Sequence, residues 1–342
     1  MALTYATGYT TNKLSSAVNK WWDYNAIPSV VSNNGILYAM GMLDSQGPAT
    51  SPSVGGFIQR ESRLSGNQLV VRYLGRLSTW SGVADANELD DVTLTDNTDQ
   101  YGGGVFEWGH FYTHIPVTTS HNAIIRGAEA RTNSWLDDLM VFAKEGWLDA
   151  LDTGIMSNNN AARSTIGGLQ YAVDNTNTYG GINRATAGNE QFQAYVTTVT
   201  NPTTADLDTM RLNMIKKGAF KANVGGFKGV GVCGLTPYRI LQQELKGYQS
   251  YMTETWDKFP SADKLAYGGV IHVFDHKGSD TDLFYIDPRA CRLYLDKSLT
   301  MQGPIPLPNK KGAHKVYIFD YWCQFVVGAV NWTGRIKGIT GV

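Results

Sequence analysis

The 342-residue chain balances 29 Lys and Arg against 30 Asp and Glu, and 42% of its residues are hydrophobic. That apolar content excludes whole-chain disorder, and near-neutrality excludes a strong overall field that would draw the protein to nucleic acid. Charged residues are only 17%, below the usual quarter of a soluble chain, which points to surface that ends up against other protein.

Glycine is abundant and aromatics reach 11%, a mix that favours strands, turns and long ordered loops over a helical bundle. Residues 1–56 begin Met1-Ala2-Leu3-Thr4-Tyr5, without the charged and apolar regions of a signal peptide. The longest apolar stretch, Tyr321 to Val330, is too short to span a bilayer. Synthesis in the cytosol and no membrane partner are the expectations. A short amphipathic helix is predicted over Lys13 to Tyr24, carrying Leu14, Val18, Trp21 and Trp22, followed by a Gly-, Pro- and Ser-rich loop from Asp44 to Gly56. The paired tryptophans pack either on the chain's own core or on a neighbour.

Asn67 to Leu77 reads as a strand with Leu69, Val71 and Tyr73 on one face. Val105 to Val117 reads as a second, with Phe106, Trp108, His110, Tyr112 and His114 on one side. Between them, Ser78 to Gly104 holds Asp85, Glu88, Asp90, Asp91, Asp96 and Asp99 and no Lys or Arg. A lone two-stranded hairpin is marginal in water, so this ribbon needs a support, either its own chain or a neighbouring subunit.

Ser134 to Thr153 is the clearest helix. Ser134 and Asp137 fit a capping box, Leu136, Leu139, Met140, Ala143, Trp147, Leu148 and Leu151 recur at spacings of three and four, and Gly154 stands at the expected C-cap. Ser157 to Gly168 is a Gly- and Asn-rich link. Helices are then predicted over Thr203 to Lys217 and from Thr236-Pro237 through Leu245. Gly229 to Leu235, Gly268 to Phe274 and Leu283 to Ile286 read as strands, Met301 to Pro308 as a Pro-rich loop, and His314 to Val330 as a bent strand or strand pair.

Catalytic patterns are absent from the sequence. His110 with His114, and His272 with His276, are four apart in strand patterns, where that spacing covers roughly 13 Å and one metal ion cannot bridge it. Gly225 to Gly231 lacks the ending of a P-loop and precedes a strand, so it reads as a turn. Asp280-Thr281-Asp282 lacks the spacing of a calcium loop. Cys233, Cys291 and Cys323 are odd in number and far apart, which suits buried free thiols in a reducing compartment. No cofactor and no enzymatic activity are expected.

Ile166-Gly167-Gly168-Leu169 followed by Tyr179-Gly180-Gly181-Ile182-Asn183-Arg184 resembles a passage after the long helix in the major capsid proteins of tailed bacteriophages. Phe284-Tyr285-Ile286-Asp287 through Leu293-Tyr294-Leu295, a basic loop, and Tyr317 to Trp332 resemble the close of the same family. The resemblance implies an α+β chain with the tailed-phage major capsid fold. Its divisions would be an N-terminal arm (1–56), an extended β-ribbon or E-loop (57–117), a peripheral domain with a long spine helix (118–165), a mainly apical α/β domain (166–298) and a return to the peripheral domain (299–342). It implies pentamers and hexamers forming an icosahedral head around non-specifically held double-stranded DNA, assembled in the host bacterial cytoplasm and resident in the virion. A portal protein, a separate scaffolding protein and a decoration protein are the partners to look for.

Some members of the family join subunits by a Lys–Asn bond from the ribbon. No lysine lies between Lys20 and Lys144 here, so a non-covalent shell is expected. In the family the ribbon crosses a neighbour's peripheral domain. Asp85, Glu88, Asp90, Asp91 and Trp108 are therefore candidate contacts, the acidic residues meeting Lys310, Lys311 and Lys315 of the neighbour. A solvated acidic tip is the alternative, since exposed ion pairs contribute little. An encapsulin-like compartment and a tail or other virion protein are the alternative functions.

Overall fold

The computed structural model describes residues 36, 58–61, 68–76, 101–117, 142–143, 146–220, 229–245, 265–296, 302–308 and 315–341. The expected helix over Lys13 to Tyr24, the loop from Asp44 to Gly56, the Ser134 capping box, Gly225 to Lys228 and the acidic segment before Tyr101 lie outside them.

In chain order the strands are Ile58–Glu61 (β1), Gln68–Arg76 (β2), Tyr101–Glu107 (β3), Gly109–Val117 (β4), Thr178–Tyr179 (β5), Ile182–Asn183 (β6), Tyr195–Thr198 (β7), Gly229–Cys233 (β8), Leu265–Tyr267 (β9), Val270–Phe274 (β10), Leu283–Ile286 (β11), Cys291–Asp296 (β12), Gln302–Pro308 (β13), Lys315–Val327 (β14) and Thr333–Lys337 (β15). The helices used below are residues 146–155 (α1), Thr204–Lys216 (α2) and Leu235–Leu245 (α3).

β14 is the axis of a five-stranded sheet. β4 runs antiparallel along one edge, from Lys315 to Cys323, while β13 and then β12 follow one another along the other. β1 adds to β12 in parallel. A six-stranded sheet runs in the order β7-β15-β11-β8-β10-β9. Its central strands are buried throughout, GVGVC in β8 and LFYI in β11, as expected where both faces are covered. The period of two divides them between two cores. Val230, Val232, Phe284 and Ile286 join the core shared with Leu151 and Ile155 of α1. Leu283, Tyr285 and Ile336 face Leu207, Met210 and Met214 of α2 and Leu241 of α3.

α2 begins at a reciprocal cap, with the Asp206 carboxylate accepting from the Thr203 N–H (2.9 Å) and hydroxyl (2.8 Å). It ends where Gly218 takes a positive φ of 93°.

The structure corrects four local expectations. Val105 to Val117 is not one ribbon strand: the chain changes sheets at Trp108, so β3 pairs with β2 while β4 pairs with β14. Met301 to Pro308 is not a loop, because Gln302–Pro308 is a strand. Proline has no N–H to donate, and Ile305 and Leu307 alternate with Pro304, Pro306 and Pro308, leaving donors at every second position toward β14. Gly154 lies inside α1, which continues to residue 155. It is there for space, since a Cβ would meet the Ile166 side chain at 2.8 Å. His314 to Val330 resolves into the single strand β14 and the start of a short 3-10 turn, Val330–Trp332.

Candidate functional site

The β2–β3 hairpin belongs to neither large sheet, so its attachment to the body rests on contacts at its root. Leu69, Val71 and Phe106 are buried, whereas Val70 and Val105 between them are 41% and 47% exposed. Among the described residues, one face of the hairpin thus joins the chain's own core and the other is open. Trp108, at the switch between sheets, is fully buried, and its indole N–H donates to the Gln68 carbonyl (3.2 Å). Its ring therefore lies inside its own chain and leaves no surface for a neighbour, which corrects its assignment as an inter-subunit contact.

Three buried polar side chains lock this root. Gln324, in the apolar run of β14, accepts from the Gly167 N–H at Oε1 (2.7 Å) and donates from Nε2 to the carbonyls of Glu107 (2.7 Å) and Thr165 (3.2 Å). It ties β3, the 157–168 link and β14 together. Tyr179 packs edge-on against Phe106, with ring centroids 4.9 Å apart, and its hydroxyl accepts from the Val327 N–H (2.9 Å). Burial pushes its phenol well up, so it stays neutral. Arg184 is fully buried and donates to the carbonyls of Asn177 (2.9 Å), Ala172 (2.6 Å) and Tyr171 (2.9 Å). Its guanidinium carbon lies 5.2 Å from the centre of the Tyr179 ring, within cation–π range. Burial lowers its pKa, with Tyr179 and Asp174 opposing.

The glycines of these segments have separate causes. Gly168 and Gly167 are pressed against backbone, where a Cβ would stand 1.9 Å from the Ser157 carbonyl oxygen and 2.7 Å from that of Phe325. Gly180 and Gly181 have φ of 59° and 86° and turn β5 into β6, a two-residue hairpin turn that needs positive φ at both positions. The Gly180 carbonyl then receives the Val105 N–H (3.0 Å) from the hairpin. A third tie comes from Arg163, whose N–H donates to the Glu107 carboxylate (3.0 Å) and whose carbonyl accepts from the His110 N–H (2.7 Å). The passage that carries the sequence resemblance is the clamp on the hairpin root.

Of the other predicted contact residues, only Lys315 is described. Lys315 opens β14 opposite Val117 and Pro308, while Asp85, Glu88, Asp90, Asp91, Lys310 and Lys311 fall outside the described residues. Sequence reasoning missed Gln324, and it reached Arg184 only through the family resemblance. An amide inside an otherwise apolar run was the available signal for Gln324, but its partners lie about 160 or more residues away along the chain.

His110, His272 and the three thiols serve structure. The His110 ring stacks on Trp322 at 4.2 Å, with Nε2 3.3 Å from Asp320, and His114 is exposed. His272 is buried with Nε2 2.8 Å from the Tyr285 hydroxyl. All three cysteines are buried and free. Burial pushes Cys323 up to about 12 and the other two also upward, so none is a ready thiolate. Among the described residues no helix is long and apolar enough to cross a membrane.

No protein-family model matches the sequence, and no curated protein matches it. Solved structures do match. The chain is similar to a chain of the cyanophage A-1(L) capsid asymmetric unit, with a TM-score of 0.59 and 13% identity over 85% of this chain and 95% of that one. It is similar to a chain of the satellite phage P4 procapsid that includes the size determination protein, with a TM-score of 0.50 and 10% identity over 83% and 86%. The holo-SrpI encapsulin complex from Synechococcus elongatus also matches, with a TM-score of 0.47 and 11% identity over 82% and 85%. The chain has the α+β fold of tailed-phage major capsid proteins.

Proposed function

We propose that the chain is a major capsid protein, a structural subunit and not an enzyme. It assembles itself as pentamers and hexamers into an icosahedral phage head around double-stranded DNA, with a scaffolding protein and a portal as partners. The observation that carries this reading is the capsid fold over nearly the whole of the cyanophage chain. The β2–β3 hairpin supports it, being anchored on one face and bare on the other. At roughly 25 cal/mol per Å² of apolar surface, covering several hundred Å² of hairpin contributes several kcal/mol before ordering costs.

The shell is non-covalent in this proposal, since the hairpin region carries no lysine to donate a cross-link. Asp85, Glu88, Asp90 and Asp91 meet Lys310, Lys311 and Lys315 of an adjoining subunit. Co-expression with a candidate scaffolding protein, followed by sedimentation, tests the assembly. Fast-sedimenting particles that run as one monomer band on a denaturing gel are the expected result, and a ladder above the monomer contradicts the non-covalent shell. Lys310→Glu combined with Lys311→Glu should abolish or strongly reduce particle yield. Normal assembly of that variant removes the charge pairing.

A further inference from the structure

We propose that Asp152, Asp275 and His276 form a divalent-cation site that joins the end of α1 to the end of β10. One donor atom from each residue lies within 4.8 Å of the others. His276 Nδ1 is 3.9 Å from Asp152 Oδ2 and 3.9 Å from Asp275 Oδ1. Zn²⁺ holds such donors at about 2.0–2.2 Å in a tetrahedron, so an inward shift of less than about 1 Å per donor closes the site.

Asp275 is held in place by its own turn. Its N–H donates to the Cys233 carbonyl (3.1 Å), its carbonyl accepts from Gly278 (3.0 Å), and Oδ1 accepts from the Lys277 N–H (2.9 Å). Asp275 Oδ2 is buried and receives no hydrogen bond from the described residues, in a residue only 3% exposed. A buried carboxylate oxygen without a donor is costly. A second carboxylate, Asp152, is equally buried beside it. Burial pushes the Asp275 carboxyl up, opposed first by the Lys277 N–H, then by the His276 charge, the Ile36 N–H and the Asp152 side chain.

Of the other charged groups at this joint, Lys277 pairs with Asp149 of α1 at 2.9 Å. The His276 side chain is 67% exposed, so the imidazole stands at the mouth with room for water on the metal. Two carboxylates and one imidazole suit Zn²⁺ or Mn²⁺ better than Mg²⁺, which prefers an all-oxygen shell. The site stands independently of the assembly reading, because it lies within one chain.

The test is calorimetric titration of the EDTA-stripped full chain with Zn²⁺ alone and with Mn²⁺ alone, accompanied by thermal unfolding. One site per chain is expected, with a rise in unfolding temperature that EDTA reverses. Asp275→Asn should abolish binding. His276→Ala, a change at an exposed side chain that leaves folding intact, should weaken it by roughly tenfold or more. Absence of saturable binding to the parent, or binding unchanged in His276→Ala, overturns the proposal whatever Asp275→Asn does to folding.

Discussion

Replacing Gln324 by Leu keeps a side chain of similar volume while removing three hydrogen bonds from the hairpin root. The Gly167 N–H and the Glu107 carbonyl then lose that partner, and each unsatisfied buried group costs about 1–3 kcal/mol. The expected loss is roughly 2–5 kcal/mol in denaturant unfolding of the unassembled chain, and an unchanged midpoint contradicts the locking role. His272 makes a pH prediction. Burial pushes its imidazole from 6.5 down to about 4. Above pH 6.5 the ring is neutral in both states and the contribution is intact. As pH falls from 6.5 through about 4, the unfolded chain takes up a proton that the folded chain refuses, so stability is lost by roughly 3 kcal/mol. Asp275, whose carboxyl is pushed up, acts in the opposite sense, but it is common to parent and variant. Between pH 7 and pH 4.5, His272→Gln should therefore lose less stability than the parent, and equal losses would contradict the assignment.

At the scale of the element, the assembly role proposed for the hairpin is testable apart from folding. Val70→Asp and Val105→Asp change exposed positions, so each should cost the isolated chain at most about 1 kcal/mol while sharply lowering particle yield. Unimpaired assembly of both variants would show that the open face is not an interface. Local signals were legible here. Leu69 and Val71 alternate as a half-buried strand should, and α2 follows Asn201-Pro202 with its apolar residues three and four apart. The split at Trp108 was not, because Phe106, Trp108, His110, Tyr112 and His114 keep one parity while the strand changes partners. Parity encodes a face only within one sheet. Likewise, alternate prolines hid β13, since their edge-strand role appears only once β14 is beside them.

For the whole molecule, topology was the illegible part. β15, close to the C-terminal end, inserts between β7 and β11, and β12 leaves the 166–298 segment to pair with β14. Such pairings join residues far apart in sequence, and neither composition nor periodicity encodes them. The same distance hid the meeting of Asp152 with Asp275 and His276. What reached the whole-molecule scale was the fold class, through the resemblance carried by the Gly167-Gly168 and Gly180-Gly181 passage. The central claim is the proposed self-assembly into a closed shell, and electron microscopy of the protein expressed with and without a candidate scaffolding protein tests it most directly. Closed icosahedral particles, or rings of five and six subunits, are the predicted result. A 37.5 kDa monomer under both conditions would contradict it.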